Sequence, residues 1–149
     1  MIHGLDANIL TYALDPAFPE NAVCRRIILD ASAESRLAMN PTVLHEAYHT
    51  LVFRQHWVPS EARTRLVSVL ANPYVEFYNQ SRRISLFALD LAARHNIGGR
   101  DSLILANLMA NNVSVLYTHD DDLLSLGRVT QKRFSISLED PLRPGKNTS

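Results

Sequence analysis

The chain has 149 residues, 46% of them hydrophobic, and this length corresponds to one ordinary domain with a real core. Its 15 basic and 15 acidic side chains cancel, which excludes a uniformly basic nucleic-acid binder and an acidic solvating tail. The single cysteine, Cys24, excludes a disulfide framework and a thiolate metal site. The chain has no apolar run of membrane-spanning length, and its N-terminus lacks signal-peptide features, so we expect a cytoplasmic protein without membrane contact.

Short apolar runs alternate with helical patterns along the chain, which predicts βαβ units on a mainly parallel sheet. The predicted strands are residues 2–5, 37–39, 75–77, 113–118 and 134–138. Helices are predicted to begin near Asn8, Asn21, Pro41, Pro59, Ser81 and Asp101, with the third reaching about His56. We expect Gly98-Gly99 to end the helix that Ser81 caps. Residues 1–140 are therefore predicted to form one domain, followed by a flexible tail over residues 141–149.

Acidic residues follow the predicted strands. Asp6 closes the first strand, Glu46 lies in the second turn of the helix after the second, and Asp120 and Asp122 follow the strand that ends at Thr118. Because ligands of parallel sheets bind outside the carboxyl ends of the strands, we expect these acids to converge on one edge. Asp101, in the first turn of its helix, is within reach of the same edge.

Several carboxylates on one rim repel each other unless cations neutralise them, and such oxygen ligands suit Mg²⁺ or Mn²⁺. This set predicts metal-assisted attack of water on a phosphodiester. Each acid also has a simpler interpretation taken singly. Asp6 is typical of a helix cap, Asp101 of a residue that complements a helix dipole, and Asp120-Asp121-Asp122 of a solvated loop.

Four segments of the chain resemble the ordered motifs of PIN-domain ribonucleases. They are Leu5-Asp6-Ala7-Asn8, Val43-Leu44-His45-Glu46, Arg100-Asp101-Ser102-Leu103 and Thr118-His119-Asp120-Asp121-Asp122-Leu123. The resemblance extends over about residues 1–140, and the small size is similar to VapC-type toxins of toxin–antitoxin pairs. It departs from the family at Leu123 and His119, where the family often has Phe and Arg.

The resemblance implies a three-layer α/β/α PIN-like fold, with a mainly parallel central sheet of 4–5 strands flanked by helices. It also implies an endoribonuclease that uses Mg²⁺ or Mn²⁺ and leaves a 5′-phosphate and a 3′-hydroxyl. Asp6, Glu46, Asp101 and Asp120 match the catalytic, metal-binding acids, and Asp122 matches a common fifth ligand. Asn8 and Thr118 match polar supports of the site.

The same helix carries a competing motif. His45-Glu46-Ala47-Tyr48-His49 is a literal H-E-x-x-H, which is typical of zinc metallopeptidases. Its extended form fails, because Val52 and Gln55 stand where Gly and a third His are needed. A zinc metallopeptidase therefore stays the alternative function, and a catalytically inactive PIN-like binding module is a third.

A neutral nuclease must hold RNA with local basic patches. We expect Arg100, which adjoins the proposed metal ligands in sequence, to contact phosphate, and His119 to influence substrate contact. The family resemblance further implies a homodimer and a cognate antitoxin partner. Residues 21–32 and 59–71 are the helices we expect to offer docking surfaces.

Overall fold

The fold was analysed in a computed structural model that describes residues 1–143. The strands are β1 (Ile2–Leu5), β2 (Arg36–Met39), β3 (Val75–Phe77), β4 (Val115–Tyr117), β5 (Arg128–Gln131) and β6 (Phe134–Glu139). The α-helices are α1 (Ala7–Leu14), α2 (Asn21–Leu29), α3 (Pro41–His49), α4 (Pro59–Leu70), α5 (Arg82–His95), α6 (Gly99–Ala110) and α7 (Asp121–Leu124). A π-helical segment, Thr50–Arg54, continues α3.

The strands form one sheet in the order β3-β2-β1-β4-β6-β5. All neighbours are parallel except β5 and β6, and Gly4 of β1 lies between Ala38 of β2 and Leu116 of β4. The chain first builds outward from β1 through β2 to β3 and then continues on the other side of β1 with β4. The strand order therefore reverses between β1 and β4, which is where open α/β sheets bind ligands.

The α/β fold with a mainly parallel sheet flanked by helices is confirmed, but the sheet has six strands rather than the predicted 4–5. The additional strand is β5, which pairs antiparallel with β6 at the edge of the sheet. The helix predicted to reach His56 also differs, because its α-helical part ends at His49 and the π-helical segment follows.

The predicted end of α5 at Gly98-Gly99 is wrong. Asn96 ends the helix in the left-handed region, with a φ of 54°. Asn tolerates this conformation better than most residues because its short polar side chain forms local hydrogen bonds. Gly98 instead precedes α6 as its N-cap, and Gly99 is the first residue of that helix. The tight connection places the start of α6, and with it Asp101, directly after α5.

The core lies between the sheet and the helices. Leu5, Leu105, Leu108 and Leu116 are fully buried in it. Gly4 brings β1 close to α6, since a Cβ atom at this position would lie 2.6 Å from Cδ1 of Leu108. The strand that directly precedes Asp6 and the helix that carries Asp101 are thus held in direct contact.

The predicted tail begins within the described residues. Leu142 packs against the core, and Arg143 forms an ion pair with the buried carboxylate of Asp140 at 3.2 Å. Residues 144–149 of the predicted tail lie outside the described residues. Within residues 1–143, no helix is long and apolar enough to cross a membrane.

Candidate active site

The site is centred on the ends of β1 and β4. Asp6 directly follows β1 and its backbone N–H donates to the carbonyl of Tyr117, while the N–H of Thr118 donates to Glu139 at the end of β6, both at 2.9 Å. The Thr118 hydroxyl donates to Oδ2 of Asp6 at 2.6 Å and accepts from the N–H of Asp120 at 3.1 Å. Thr118 is fully buried, so it fixes both acids relative to the sheet edge.

Asp6 and Asp120 also cap helices. Oδ1 of Asp6 accepts from the N–H of Ala7 at 2.8 Å, and Oδ1 of Asp120 accepts from the N–H groups of Asp122 and Leu123 at 2.8 and 3.2 Å. The interpretation of Asp6 as a helix cap is therefore correct as well. Capping uses one carboxylate oxygen of each residue, and the second oxygen of Asp120 has no hydrogen-bond partner within residues 1–143.

Helices α3 and α6 supply Glu46 and Asp101. A fully buried pair of asparagines joins these helices, since Nδ2 of Asn40 donates to Oδ1 of Asn107 at 3.1 Å. Asn40 also caps α3 by accepting from the N–H of Val43 at 3.1 Å. The cap directly precedes Pro41, where the sequence predicts the helix to begin, whereas the partnership with Asn107 has no local signal because it connects residues far apart in the chain. This pair sets the position of Glu46 relative to Asp101.

The acids share one electrostatic environment. Burial raises the pKa of Asp6, and the charges of Glu46 and Asp120 raise it further, against hydrogen bonds from Thr118 and Ala7 that lower it. Burial also raises the pKa of Asp101, followed by the charges of Asp6 and Asp120. The acids of four separate segments are therefore near enough for their charges to influence one another.

Glu46 has two cationic neighbours. Its pKa is raised first by burial and also by Asp101 and Asp120, while Arg100 and Arg54 lower it. Nη1 of Arg100 lies 3.2 Å from Oε1 of Glu46, and the Arg100 side chain remains 63% exposed. Arg100 thus lies beside the acids, and its contact with phosphate stays a prediction. Sequence reasoning missed Arg54, which depends on the π-helical segment for its position.

The donor set fits a divalent cation by its chemistry, because buried carboxylates that repel each other are stabilised by a hard cation with oxygen ligands. Within residues 1–143, no three Asp, Glu, His or Cys side chains are placed to share one metal ion directly. The acids therefore influence each other's pKa without surrounding a single point, and side-chain rotation would be needed for them to converge on one ion.

A model of the PIN domain family matches residues 5–129 of the chain. The chain belongs to the PIN domain family. This PIN domain spans the segments that carry Asp6, Glu46, Asp101 and Asp120, in the order expected from the sequence.

Solved structures show the same fold. VapC20 of Mycobacterium tuberculosis, described as a Sarcin-Ricin loop cleaving toxin, matches with a TM-score of 0.70 and 14% identity over 84% of this chain and 95% of its own. VapBC2 of Rickettsia felis, bound to a promoter DNA fragment, matches with a TM-score of 0.67 and 20% identity over 94% and 98%. VapBC-1 of nontypeable Haemophilus influenzae matches with a TM-score of 0.62 and 17% identity, over 96% of this chain and 100% of its own. No curated protein matched the chain.

The remaining predicted site residues lie around this cluster. Asp122 is exposed on α7, and its charge contributes to the raised pKa of Asp101. Asn8 lies in the first turn of α1, and its Oδ1 is shielded from solvent without a hydrogen-bond partner among residues 1–143. His119 is held by Asp140, with 2.7 Å between Nδ1 and Oδ2, and its ring packs edge-on to Tyr12. Its contact with RNA stays a prediction.

The structure does not support the zinc peptidase alternative. His45 lines an apolar groove between α3 and α4, and the ring of His49 packs against Phe53 at 5.0 Å between centroids. Glu46 lines a different, polar cavity next to α1. The two histidines therefore belong to surroundings other than those of the glutamate, and a third ligand is absent within residues 1–143.

Proposed function

We propose that this PIN domain is an Mg²⁺- or Mn²⁺-dependent endoribonuclease that cleaves RNA phosphodiester bonds with an activated water. The observation that carries the proposal is the Thr118 hydroxyl, which bonds both the Asp6 carboxylate and the backbone N–H of Asp120 where the strand order reverses. Glu46 and Asp101 lie near enough for their charges to be felt at the same site. Membership of the PIN family supports it, and a structure of the same fold is described as a Sarcin-Ricin loop cleaving toxin.

The four acids would hold the metal, with Asp122 as a further ligand. When bound, the metal would lower the pKa of a water molecule and neutralise charge that develops on the phosphate. Thr118 keeps Asp6 oriented through its hydroxyl and favours the ionised carboxylate, which is the form that binds cations. Arg100, mostly exposed beside Glu46, is placed to contact a phosphate of the RNA.

The experiment is RNA cleavage by the purified protein with Mn²⁺ and with EDTA, using 5′- and 3′-labelled single-stranded and stem–loop RNAs. We expect cleavage that requires the metal and leaves a 5′-phosphate. Asp6→Asn and Asp101→Asn are expected to lose at least about 100-fold in rate, because changing even a residue that only supports a metal ligand typically costs about 10–100-fold. Asp90→Asn is the matched control, because Asp90 is an exposed acid on α5. Equal rates for all three variants would contradict the proposal.

We further propose that the protein is the toxin of a type II toxin–antitoxin pair and a homodimer. VapBC complexes share its fold, and the apolar groove between α3 and α4 offers a surface for a protein partner. Leu44, Tyr48 and Leu70 line this groove, and Val67 is 47% exposed there. Co-expression with the adjacent small open reading frame is expected to yield a stable complex that suppresses cleavage, and light scattering of the free protein should give a dimer mass. A monomer, or cleavage unaffected by the neighbouring product, would contradict these assignments.

A further inference from the structure

A polar cavity of about 320 Å³ lies between the start of α1 and the end of α3. Its walls include Asn8, Tyr12, Glu46, Thr50, Arg54 and Gln55. Glu46 belongs both to this cavity and to the acidic cluster, and Ala7, which directly follows Asp6, lines the cavity as well. The cavity therefore adjoins the proposed cleavage site.

The π-helical segment places the hydroxyl of Thr50 and the guanidinium of Arg54 at this cavity. Glu46, Thr50 and Arg54 are four residues apart, and in a regular α-helix each such step turns the side chain by about 40°. A π-helix has more residues per turn, so a four-residue step turns in the opposite direction there. The change from α to π after His49 thus returns Arg54 towards the side of Glu46, and all three residues line the cavity.

Gln55 is held at the rim by buried Asp15. Oδ2 of Asp15 accepts from Nε2 of Gln55 and from Nε1 of Trp57, each at 3.2 Å, and Asp15 is only 4% exposed. Between them, His56 has a φ of 60°, a left-handed conformation that costs free energy for a residue other than Gly. This strained turn directs both flanking side chains to the same carboxylate, and it leaves Oε1 of Gln55 without a partner among the described residues.

The cavity has unused hydrogen-bonding groups beside an aromatic wall. Oδ1 of Asn8 is buried and unpaired within residues 1–143, which is costly unless a bound donor supplies the hydrogen bond. Tyr12 and Phe18 pack edge-to-face with 5.0 Å between ring centroids, and both line the cavity. Unstacked RNA bases are bound in this way, by aromatic contact together with hydrogen bonds to their edges.

We propose that this cavity is a nucleotide subsite that binds the base next to the scissile phosphodiester, with Arg54 on an adjoining phosphate. Asn8 and Gln55 accept hydrogen bonds from N–H groups of the base, and Tyr12 contacts its ring. The inference rests on the proposed ribonuclease function, and it assigns sequence preference to residues outside the acidic cluster.

The first test does not require cleavage. Trp57 is the only tryptophan and shares Asp15 with Gln55, so its fluorescence reports on the cavity rim. Nucleoside 5′-monophosphates, titrated in EDTA, are expected to change the emission saturably, whereas inorganic phosphate at the same concentrations does not. Arg54→Gln and Thr50→Val should weaken the nucleotide effect, Arg54→Gln by about tenfold, as expected for loss of a charge-assisted hydrogen bond. Arg65→Gln, an exposed arginine on α4, is the matched control.

The second test is cleavage of a randomised RNA pool followed by sequencing of the new ends. Gln55→Leu and Asn8→Ser are expected to change the base preference at one position beside the cut, while Arg65→Gln leaves it unchanged. Circular dichroism and thermal unfolding confirm that each variant is folded. Cleavage with unaltered preference in both variants overturns the subsite and leaves the ribonuclease intact. An equal response to phosphate alone also overturns it, because the cavity is then an anion site. Nucleotide binding without cleavage of any RNA would instead contradict the proposed function.

Discussion

The hydroxyl of Thr118 is the contact whose removal most directly tests the construction of the site. Thr118→Val keeps the shape of a fully buried side chain but deletes the 2.6 Å bond to Asp6 and the acceptor of the Asp120 N–H. A hydrogen bond to a charged group contributes about 1.5–3 kcal/mol, and a buried N–H left unpaired costs about 1 kcal/mol or more. We therefore expect the free energy of unfolding to fall by about 2–4 kcal/mol, which lowers the melting temperature by roughly 5–15 °C for a chain of this size.

The sign of the pH dependence separates this contact from simple packing. The Thr118 bond lowers the pKa of Asp6, which burial raises above its ordinary value of 3.8. Ionising Asp6 costs stability as the pH rises through that raised pKa, and the Thr118 bond reduces the cost. Because the bond favours the ionised carboxylate, Thr118→Val should lose more stability at pH 8 than at pH 4, where a larger fraction of Asp6 is protonated in both proteins. The acidic limb of its cleavage profile should also move to higher pH.

The assay is urea unfolding of Thr118→Val and Thr118→Ser at both pH values. Serine retains the hydroxyl and loses one methyl group, so it reports the packing contribution of about 1 kcal/mol. A Val variant that is as stable as the Ser variant at pH 8 refutes the reasoning. An equal difference between the variants at pH 4 and pH 8 refutes it too, because the bond would then be indifferent to the charge of Asp6.

Three further predictions concern the same edge. Gly4→Ala should lower the free energy of unfolding by about 1–2 kcal/mol, since its Cβ would lie 2.6 Å from buried Leu108. Adding Leu108→Val to this variant should restore part of the loss in urea unfolding. An unchanged unfolding midpoint for Gly4→Ala contradicts the prediction. Asp101→Asn should make the metal-free protein more stable at pH 8. The pKa of Asp101 is raised, so its ionisation costs stability as the pH rises above the ordinary pKa of 3.8. Calorimetry that finds a less stable variant contradicts this prediction. Asp6→Asn keeps an oxygen that caps α1, and Asp6→Ala does not. The free energy of unfolding of Asp6→Ala should therefore be lower than that of Asp6→Asn by about 1 kcal/mol. Equal melting temperatures for the two variants contradict the capping contribution.

The elements of the sheet that could be predicted are those with a local signal. β1, β2, β3, β4 and β6 are short apolar runs, and the sequence placed them correctly. β5 was missed because Val129 is its only strongly apolar residue and because the turn to β6 lacks a hairpin signal. Lys132 adopts a φ of 56° in that turn, where Asn or Gly is usual. The edge strand is stabilised by pairing with β6, which local sequence does not encode.

The residues of the candidate site also divide into those with a local sequence signal and those without one. The acids could be predicted as candidates because they follow strands or lie in the first two turns of helices, and parallel strands end at one edge. Arg54 and the Asn40–Asn107 pair could not be, since one depends on a change from α- to π-helix and the other on contact between two distant helices. The literal H-E-x-x-H motif shows the opposite limit, because three residues of one helix satisfied a pattern while facing different surroundings.

Asp6 caps α1, as its simpler interpretation predicted, whereas Asp120 caps α7 instead of lying in a solvated loop. Both caps are compatible with the proposed role of these acids as metal ligands. Each carboxylate uses Oδ1 to cap a helix, so it is held by backbone N–H groups whose dipole favours negative charge. Oδ2 of Asp6 accepts from the Thr118 hydroxyl, and Arg100 beside Glu46 partly offsets the repulsion among the acids. Without the five proposed site acids, 10 acidic residues remain against 15 basic ones. A body of net positive charge around these capped carboxylates would attract RNA phosphates towards the site even though the total charge is zero.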